Sequence, residues 1–220
     1  MEKTAEQIRQ DVIKQLKWDS RIKSENIFVE VTGHTVVLTG TVSSNLQRIS
    51  AENDCRSVQG VSVVDNRLQV MKPATEQIPD EKIKWNIESA LSLNSTINAS
   101  MIEVAVNNGK VTLAGSVDQF WKKLKIEEIV SNVPGVYEIV NTLTVVPTHS
   151  PFDQAISTDI LSAISRLGRI NPESIHVEVN GGRVRLRGKV PDWQSYSAAY
   201  NISKHTNGVT DLINELVISE

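Results

Sequence analysis

Four histidines and one cysteine are the side chains best suited to hold a metal or attack a substrate, and their spacing supports neither role. His34, His149, His176 and His205 fall in a hairpin turn, a linker, a strand and a helix end, far apart in the chain. None forms a metal-ligand spacing with Cys55 or with another histidine. They read as solvent-exposed imidazoles. Cys55 lies on a helix with no basic partner placed to lower its pKa, so it reads as a small buried thiol and not a redox nucleophile. No serine sits in a nucleophile-elbow motif, and no Gly-rich phosphate loop precedes a helix. Acidic residues are scattered, with no pairing that would suggest a general acid and base. Function has to be argued from a site, and no catalytic site is visible, so we expect no enzyme, no metal and no cofactor.

Binding is a different matter, because two surface features stand out. In Arg183-Val184-Arg185-Leu186-Arg187-Gly188-Lys189 the cations alternate with buried-type residues. A strand sends successive side chains to opposite faces, so Arg183, Arg185, Arg187 and Lys189 should share the solvent face, partly neutralised by Glu178 on the neighbouring strand. Such a row could meet an anionic bilayer, each cation adding about 1 kcal/mol. The second feature is aromatic. Trp85 lies two residues past Ile83, about 200° around a helix, and should point away from the buried stripe, flanked by Lys82 and Lys84. Phe120 and Trp121 open a later helix beside Lys122, Lys123 and Lys125. Tryptophan with lysine suits a membrane interface; the same rings would equally fill joints between neighbouring modules. Trp193, Tyr196 and Tyr200, at spacing three then four, read as helix packing, and a nucleic-acid partner is not expected.

The elements that must position these residues are legible because the chain repeats itself. Ile27-x-Val29-x-Val31 returns at Ile102 and at Ile175, offsets of 75 and then 73 positions. Val36-x-Leu38-x-Gly40-x-Val42 returns at Val111 and Val184, carrying Gly115 and Gly188; Gly60-Val61 with Asn66-x-Leu68 returns at Gly135 and Gly208. The helical stripe Ile8, Val12, Leu16 keeps the same register as Ile83, Ile87, Leu91 and Ile156, Ile160, Ile164. Proline-bearing junctions, from Met71 to Pro79 and from Val146 to Pro151, separate the copies. Each copy reads as helix, strand, tight turn, strand, helix, strand, with Gly60, Gly135 and Gly208 as left-handed helix caps. The fold class is therefore α+β, as three tandem αββαβ two-layer sandwich domains, each a small mixed sheet covered by two helices, at 4–71, 79–147 and 152–219. The composition, 40% hydrophobic and 22% charged with net charge −3, is that of an ordinary globular chain, and no apolar run approaches the roughly 20 residues of a membrane span.

The paired strings, Val-x-Leu-x-Gly-x-Val after a hairpin and Gly-Val followed by Asn-x-Leu after a helix, resemble the BON domain, the bacterial osmotic-stress and nodulation module. The resemblance spans essentially the whole chain. It implies non-catalytic attachment domains that bind phospholipid or membrane surfaces in envelope and stress-induced proteins, with motifs that are structural and no catalytic residues to carry over. The partner expected is thus an anionic phospholipid or membrane surface; the alternative is a protein partner, met by a chaperone-like scaffold. Many relatives carry a secretion signal or lipoprotein leader, and the charged start Met1-Glu2-Lys3 has the look of neither. As written the protein is expected in the cytoplasm, and in the periplasm if a leader is missing.

Overall fold

A computed structural model describes residues 3–71, 78–149 and 151–219. The first copy comprises α1 (Ala5–Trp18), β1 (Ile27–Thr32), β2 (Thr35–Val42), α2 (Asn45–Ser57), β3 (Val63–Asn66) and β4 (Gln69–Val70). The second comprises α3 (Asp80–Ser92), β5 (Ile102–Asn107), β6 (Lys110–Val117), α4 (Phe120–Ser131), β7 (Glu138–Asn141) and β8 (Thr144–Val145). The third has α5 (Asp153–Arg166), β9 (Ile175–Asn180), β10 (Arg183–Val190), α6 (Trp193–His205) and β11 (Asp211–Ile218). Pro73, in the first junction, lies outside the described residues.

In each copy the long hairpin strand is central, as in the order β1-β2-β3. β1 runs antiparallel to β2, β3 and β4 run parallel to it, and the parallel pairs β2–β3, β2–β4, β6–β8 and β10–β11 each join residues 28 positions apart, as in Thr35 with Val63 and Arg183 with Asp211. The last strand is one piece in the third copy and broken in two in the others. Even there the ladder is bridged, because Arg67 N–H donates to the Leu38 carbonyl and Thr142 N–H to that of Leu113, both at 2.9 Å.

The predicted stripes are the core. Ile8, Val12 and Leu16 are buried with Val36, Leu38, Ala51 and Cys55, and Ile156, Ile160 and Ile164 with Val184, Leu186 and Ala199. Full burial of each large aliphatic contributes roughly 1.5–3 kcal/mol. Packing gathers the chain into two compact units, one of Met1–Ala90, Val104–Thr112 and Glu128–Val140, the other of Leu91–Glu103, Leu113–Glu127 and Asn141–Glu220. Segments of the middle copy thus belong to both. Within the second unit the reason is visible: Phe120, Leu124 and Val145 pack into the same apolar cluster as the stripe of α5.

Local signals explain where the elements begin. Thr4 caps α1 reciprocally, its hydroxyl accepting from Gln7 N–H and its own N–H donating to Gln7 Oε1. The hairpin turns are held by the first turn of the preceding helix. Asp153 accepts from Gly181 and Gly182 N–H at 2.8 and 2.9 Å, and Asp80 from Asn108 and Gly109 N–H at 2.6 and 2.9 Å. The first copy has Ala5 in that place, and its turn carries His34 with Nδ1 2.8 Å from the Gly60 carbonyl oxygen. His34 is therefore half-buried and not the exposed imidazole its turn position suggested. The Asn-x-Leu motif also has a cause. Asn66 Oδ1 accepts from Leu68 N–H while Nδ2 donates to the Arg48 carbonyl and to Glu52, and Asn141 repeats this with Leu143, Lys123 and Glu127.

The mid-strand glycines work by close approach. Gly40, Gly115 and Gly188 have φ of +111°, +116° and +127°, and a Cβ there would stand 2.0, 2.1 and 2.0 Å from the carbonyl oxygens of Asn26, Met101 and Ser174. The second glycine set corrects the expectation of a left-handed helix cap. α2 ends at Ser57 and its cap, Val58, is extended, so Gly60 lies beyond the helix, at the third position of a turn closed by Val61 N–H donating to the Val58 carbonyl. The turns at Gly135 and Gly208 close the same way, through Val136 N–H to Val133 and Val209 N–H to Thr206. Positive φ at that third position is what a type II turn requires.

One buried polar cluster belongs to the first copy alone. Asp19, at the end of α1 and 6% exposed, accepts from the Arg21 guanidinium at 3.0 Å and from Arg21 N–H at 2.9 Å. The Asp54 carboxyl on α2 lies near enough to feel the Asp19 charge. Hydrogen bonding to Arg21 holds Asp19 down at about 2. Burial, and then the neighbouring Asp19 charge, push Asp54 above the ordinary carboxylate range. The pairing of two carboxyls was not visible in the sequence, because the residues are 35 positions apart and have no counterpart in Asn94 and Ile129 or in Leu167 and Ile202.

Two predictions follow from this geometry. Gly188→Ala should destabilise the third copy by several kcal/mol, on the order of the larger strain effects, whereas Gly33→Ala, with φ +58° and open space at its Cβ, should cost only about 1 kcal/mol. Chemical denaturation with hydrogen exchange to locate the loss checks both. The second concerns pH. Asp19, depressed in the fold, contributes stability that is present above its unfolded value and lost as pH falls through about 2; Asp54, raised, contributes stability present in acid and lost as pH rises through its folded value. Asp54→Asn should therefore raise the denaturation midpoint at neutral pH and remove the decline above the carboxylate range, while Asp19→Asn should flatten the acid limb.

Candidate functional site

The sequence points to two surfaces, and their geometry differs. On α3 the stripe Ile83, Ile87 and Leu91 is at most 1% exposed, while Trp85 is 59% exposed. Lys82 Nζ stands 4.3 Å from the Trp85 ring centroid, a cation held over an exposed π face. Lys84 Nζ is 3.8 Å from Glu88, one turn along the same helix. The result is a solvent-exposed aromatic ring with the Lys82 ammonium over it. Nothing in the internal packing of a 13-residue helix calls for a tryptophan at that phase.

Trp121 is placed differently. Phe120 is buried in the third copy's apolar cluster, and Trp121 is half-buried with its ring 6.0 Å from that of His205 at the end of α6. Gln119 Nε2 donates to Asn207 Oδ1 at 3.3 Å beside them. These rings fill a joint between copies. Of the lysines around them, Lys122 pairs with Asp118 at 2.8 Å and sits 5.7 Å from the Trp121 ring; Lys123 and Lys125 are half-buried. The Trp193–Tyr196 pair stacks along α6 at 4.6 Å, and burial raises the Tyr200 phenol above its usual range, as helix packing predicts.

The arginine row occupies the face that alternation assigned to it, with Val184 and Leu186 fully buried beneath. Its charge is answered more completely than the sequence suggested. Arg183 lies 3.6 Å from Asp211, Arg185 3.8 Å from Glu215, and Arg187 3.3 Å from Glu178 and 2.8 Å from Glu215. The hydrogen bond from Arg187 holds Glu215 below the ordinary range. Glu178 was foreseen from the hairpin; Asp211 and Glu215 were missed. The signal that finds them is the parallel register, which sets Arg183 opposite Asp211 and Arg187 opposite Glu215. Lys189, at the far end of the row, is exposed.

Three exposed rings were also missed, among them Phe152, 88% exposed at the start of α5. Trp18 is 79% exposed in the last turn of α1, two residues past Leu16, which is the phase Trp85 holds relative to Ile83. Phe28 is 65% exposed on β1, on the sheet face away from the helices. Cys55 is fully buried, and burial pushes its thiol up to about 12, which removes it as a nucleophile. Among the described residues, no helix is long and apolar enough to cross a membrane.

The chain matches the BON domain at residues 4–72, 79–147 and 152–220. It is 32% identical over 142 residues to the outer membrane lipoprotein DolP of Haemophilus influenzae, spanning 62% of this chain and 73% of that protein. It is 28% identical over 126 residues to osmotically-inducible protein Y of Escherichia coli (strain K12), spanning 56% of this chain and 63% of that one. Among solved structures, the C-terminal domain of CdsD, a structural protein of the type III secretion system of Chlamydia trachomatis, is matched over 96% of both chains with 12% identity and a TM-score of 0.27, too low to bear on the fold. The relatives are thus an envelope protein and an osmotic-stress protein. Because the three matched stretches are the three that fold as helix-covered sheets, the chain belongs to the BON domain family, in three tandem copies.

Proposed function

We propose that this protein is a non-catalytic envelope-associated module array, linked to stress, that attaches to anionic phospholipid surfaces through the outward face of α3. The observation that carries this reading is Trp85, more than half exposed with Lys82 over its ring. An indole at a bilayer interface sits at headgroup depth, with its apolar body in the acyl boundary and its N–H among polar groups. The Lys82 ammonium over the ring meets phosphate. The arginine row adds less, because the carboxylates of Glu178, Asp211 and Glu215 beside Arg183, Arg185 and Arg187 cancel most of its net charge. The names of the two relatives, an outer membrane lipoprotein and an osmotically-inducible protein, support an envelope setting on the periplasmic side.

A variant keeping Trp85 as its only tryptophan should shift its fluorescence to the blue, and become protected from aqueous quencher, when phosphatidylglycerol vesicles are added but not with phosphatidylcholine alone. Trp85→Ala should cost less than about 1 kcal/mol of stability, as exposed substitutions do, while reducing vesicle flotation several-fold. Lys82→Gln with Lys84→Gln should weaken flotation and flatten its salt dependence, since exposed charges are screened over about 8 Å at physiological ionic strength. A Trp85 emission indifferent to anionic vesicles would return this face to a protein-binding scaffold role.

A further inference from the structure

A groove in the first copy lies apart from the surfaces described so far. It runs between α1 and β1, holds about 570 Å³, and is lined by Arg9, Ile13, Leu16 and Lys17 from the helix and by the strand from Ile27 to Thr32. β1 is an edge of its sheet, with β2 as its hydrogen-bonded neighbour. In an antiparallel pair, alternate residues aim their backbone groups at the partner and the others aim theirs outward. Arg9 Nε donates to the Val29 carbonyl from α1 at 3.2 Å, which fixes the phase: Val29 and Val31 turn their N–H and C=O groups away from β2 and into the groove, and Ile27 its carbonyl, while the Ile27 N–H donates to the Ser24 carbonyl.

We propose that this edge accepts an extended segment of another polypeptide as an added strand, bearing an acid, an apolar residue and an acid on its helix-facing side. A row of outward amides and carbonyls specifies an extended backbone, because only another strand satisfies them in register. The side-chain pattern comes from α1. Arg9, Ile13 and Lys17 are spaced four apart, which advances about 6 Å per step along a helix. Successive same-side residues of a strand advance about 6.7 Å, so three consecutive helix-facing side chains meet cation, aliphatic and cation in turn. On the opposite side Phe28, 65% exposed, offers an apolar contact, and Glu30 repels acids there, so acids belong on the helix side. The Arg9 hydrogen bond to Val29 acts as a plug that the incoming amide displaces; the guanidinium, which also faces Glu6 on its own helix at 3.4 Å in an exposed pair worth little, then turns to the segment's carboxylate. The corresponding plug in the third copy is neutral, since Ser157 Oγ donates to the Val177 carbonyl at 3.2 Å and leaves no cation to reward displacement.

The test is a titration of the full isotope-labelled chain with the acetylated and amidated heptapeptide Thr-Glu-Val-Val-Val-Glu-Thr, followed by amide chemical shifts. The expected result is saturable binding with shifts concentrated at Ile27, Val29 and Val31 and at the Arg9 side-chain N–H. A fully N-methylated version, which cannot donate to the edge, should lose at least about tenfold in affinity, the equivalent of one good hydrogen bond. Replacing both glutamates by lysine, or Lys17→Glu in the protein, should each weaken binding by about tenfold. The proposal is overturned if the peptide does not bind saturably, if the N-methylated peptide binds equally well, or if the shifts fall on β9 or on the α3 face. Shifts at Ile27, Val29 and Val31 that depend on protein concentration without peptide would overturn it in favour of pairing between two copies of this chain. No vesicles enter the experiment, so its failure is separate from failure of the lipid reading.

Discussion

The hairpin of every copy depends on one steric fact: in mid-strand, the central strand passes so close to the carbonyl of the preceding short helical turn that no side-chain carbon fits between them. Gly40, Gly115 and Gly188 meet that condition at the same geometry. The contact pins the hairpin register, since sliding the strand by one residue would place Thr39 or Thr41, Ala114 or Ser116, or Arg187 or Lys189 against the carbonyl. Pinning the register decides which side chains look inward. From it follow the burial of Val36 and Leu38 beneath α1 and α2 and the outward row that begins at Arg183.

On that shared frame the copies have diverged where packing permits. The asparagine of the last strand shows how far. Asn66 and Asn141 each reach back to a helix carbonyl and to a glutamate, Glu52 or Glu127. In the third copy Tyr200 occupies the glutamate's place, and Asn214 Nδ2 is buried without a hydrogen-bond partner. An unsatisfied amide of this kind costs about 1–3 kcal/mol. The exchange puts a half-buried aromatic ring, its phenol raised by burial, where the other copies have the glutamate that ties helix to strand.

Architecture was legible because a period repeated three times separates signal from accident. Ile8, Ile83 and Ile156 announce one helix stripe together more firmly than any of them alone, and the exposure of Trp85 followed from its phase against Ile83. What stayed hidden was tertiary. Asp19 and Asp54 are brought together by two helices whose crossing no local pattern encodes. Asp211 and Glu215 neutralise the arginine row through a parallel pairing 28 positions away, and the sequence gives no pattern for that register until the strand order is known. Gly60 was assigned the wrong role for a subtler reason. A glycine three residues beyond a helix and one just after it look alike in sequence, and only the turn closed by Val61 tells them apart.

The insertion of Phe120 into the third copy's core has a consequence for how such a chain can change length. Asn45 and Trp193 hold the equivalent positions in the other copies, and Trp193 stacks on Tyr196 of its own helix. A genetic deletion that removed the third copy would leave Phe120, Leu124 and Val145 without the cluster they share with Ile156 and Ile160. Copy number in this protein is therefore not freely adjustable by duplication and loss. The last two copies must be gained or shed together, or the surface between them rewritten first.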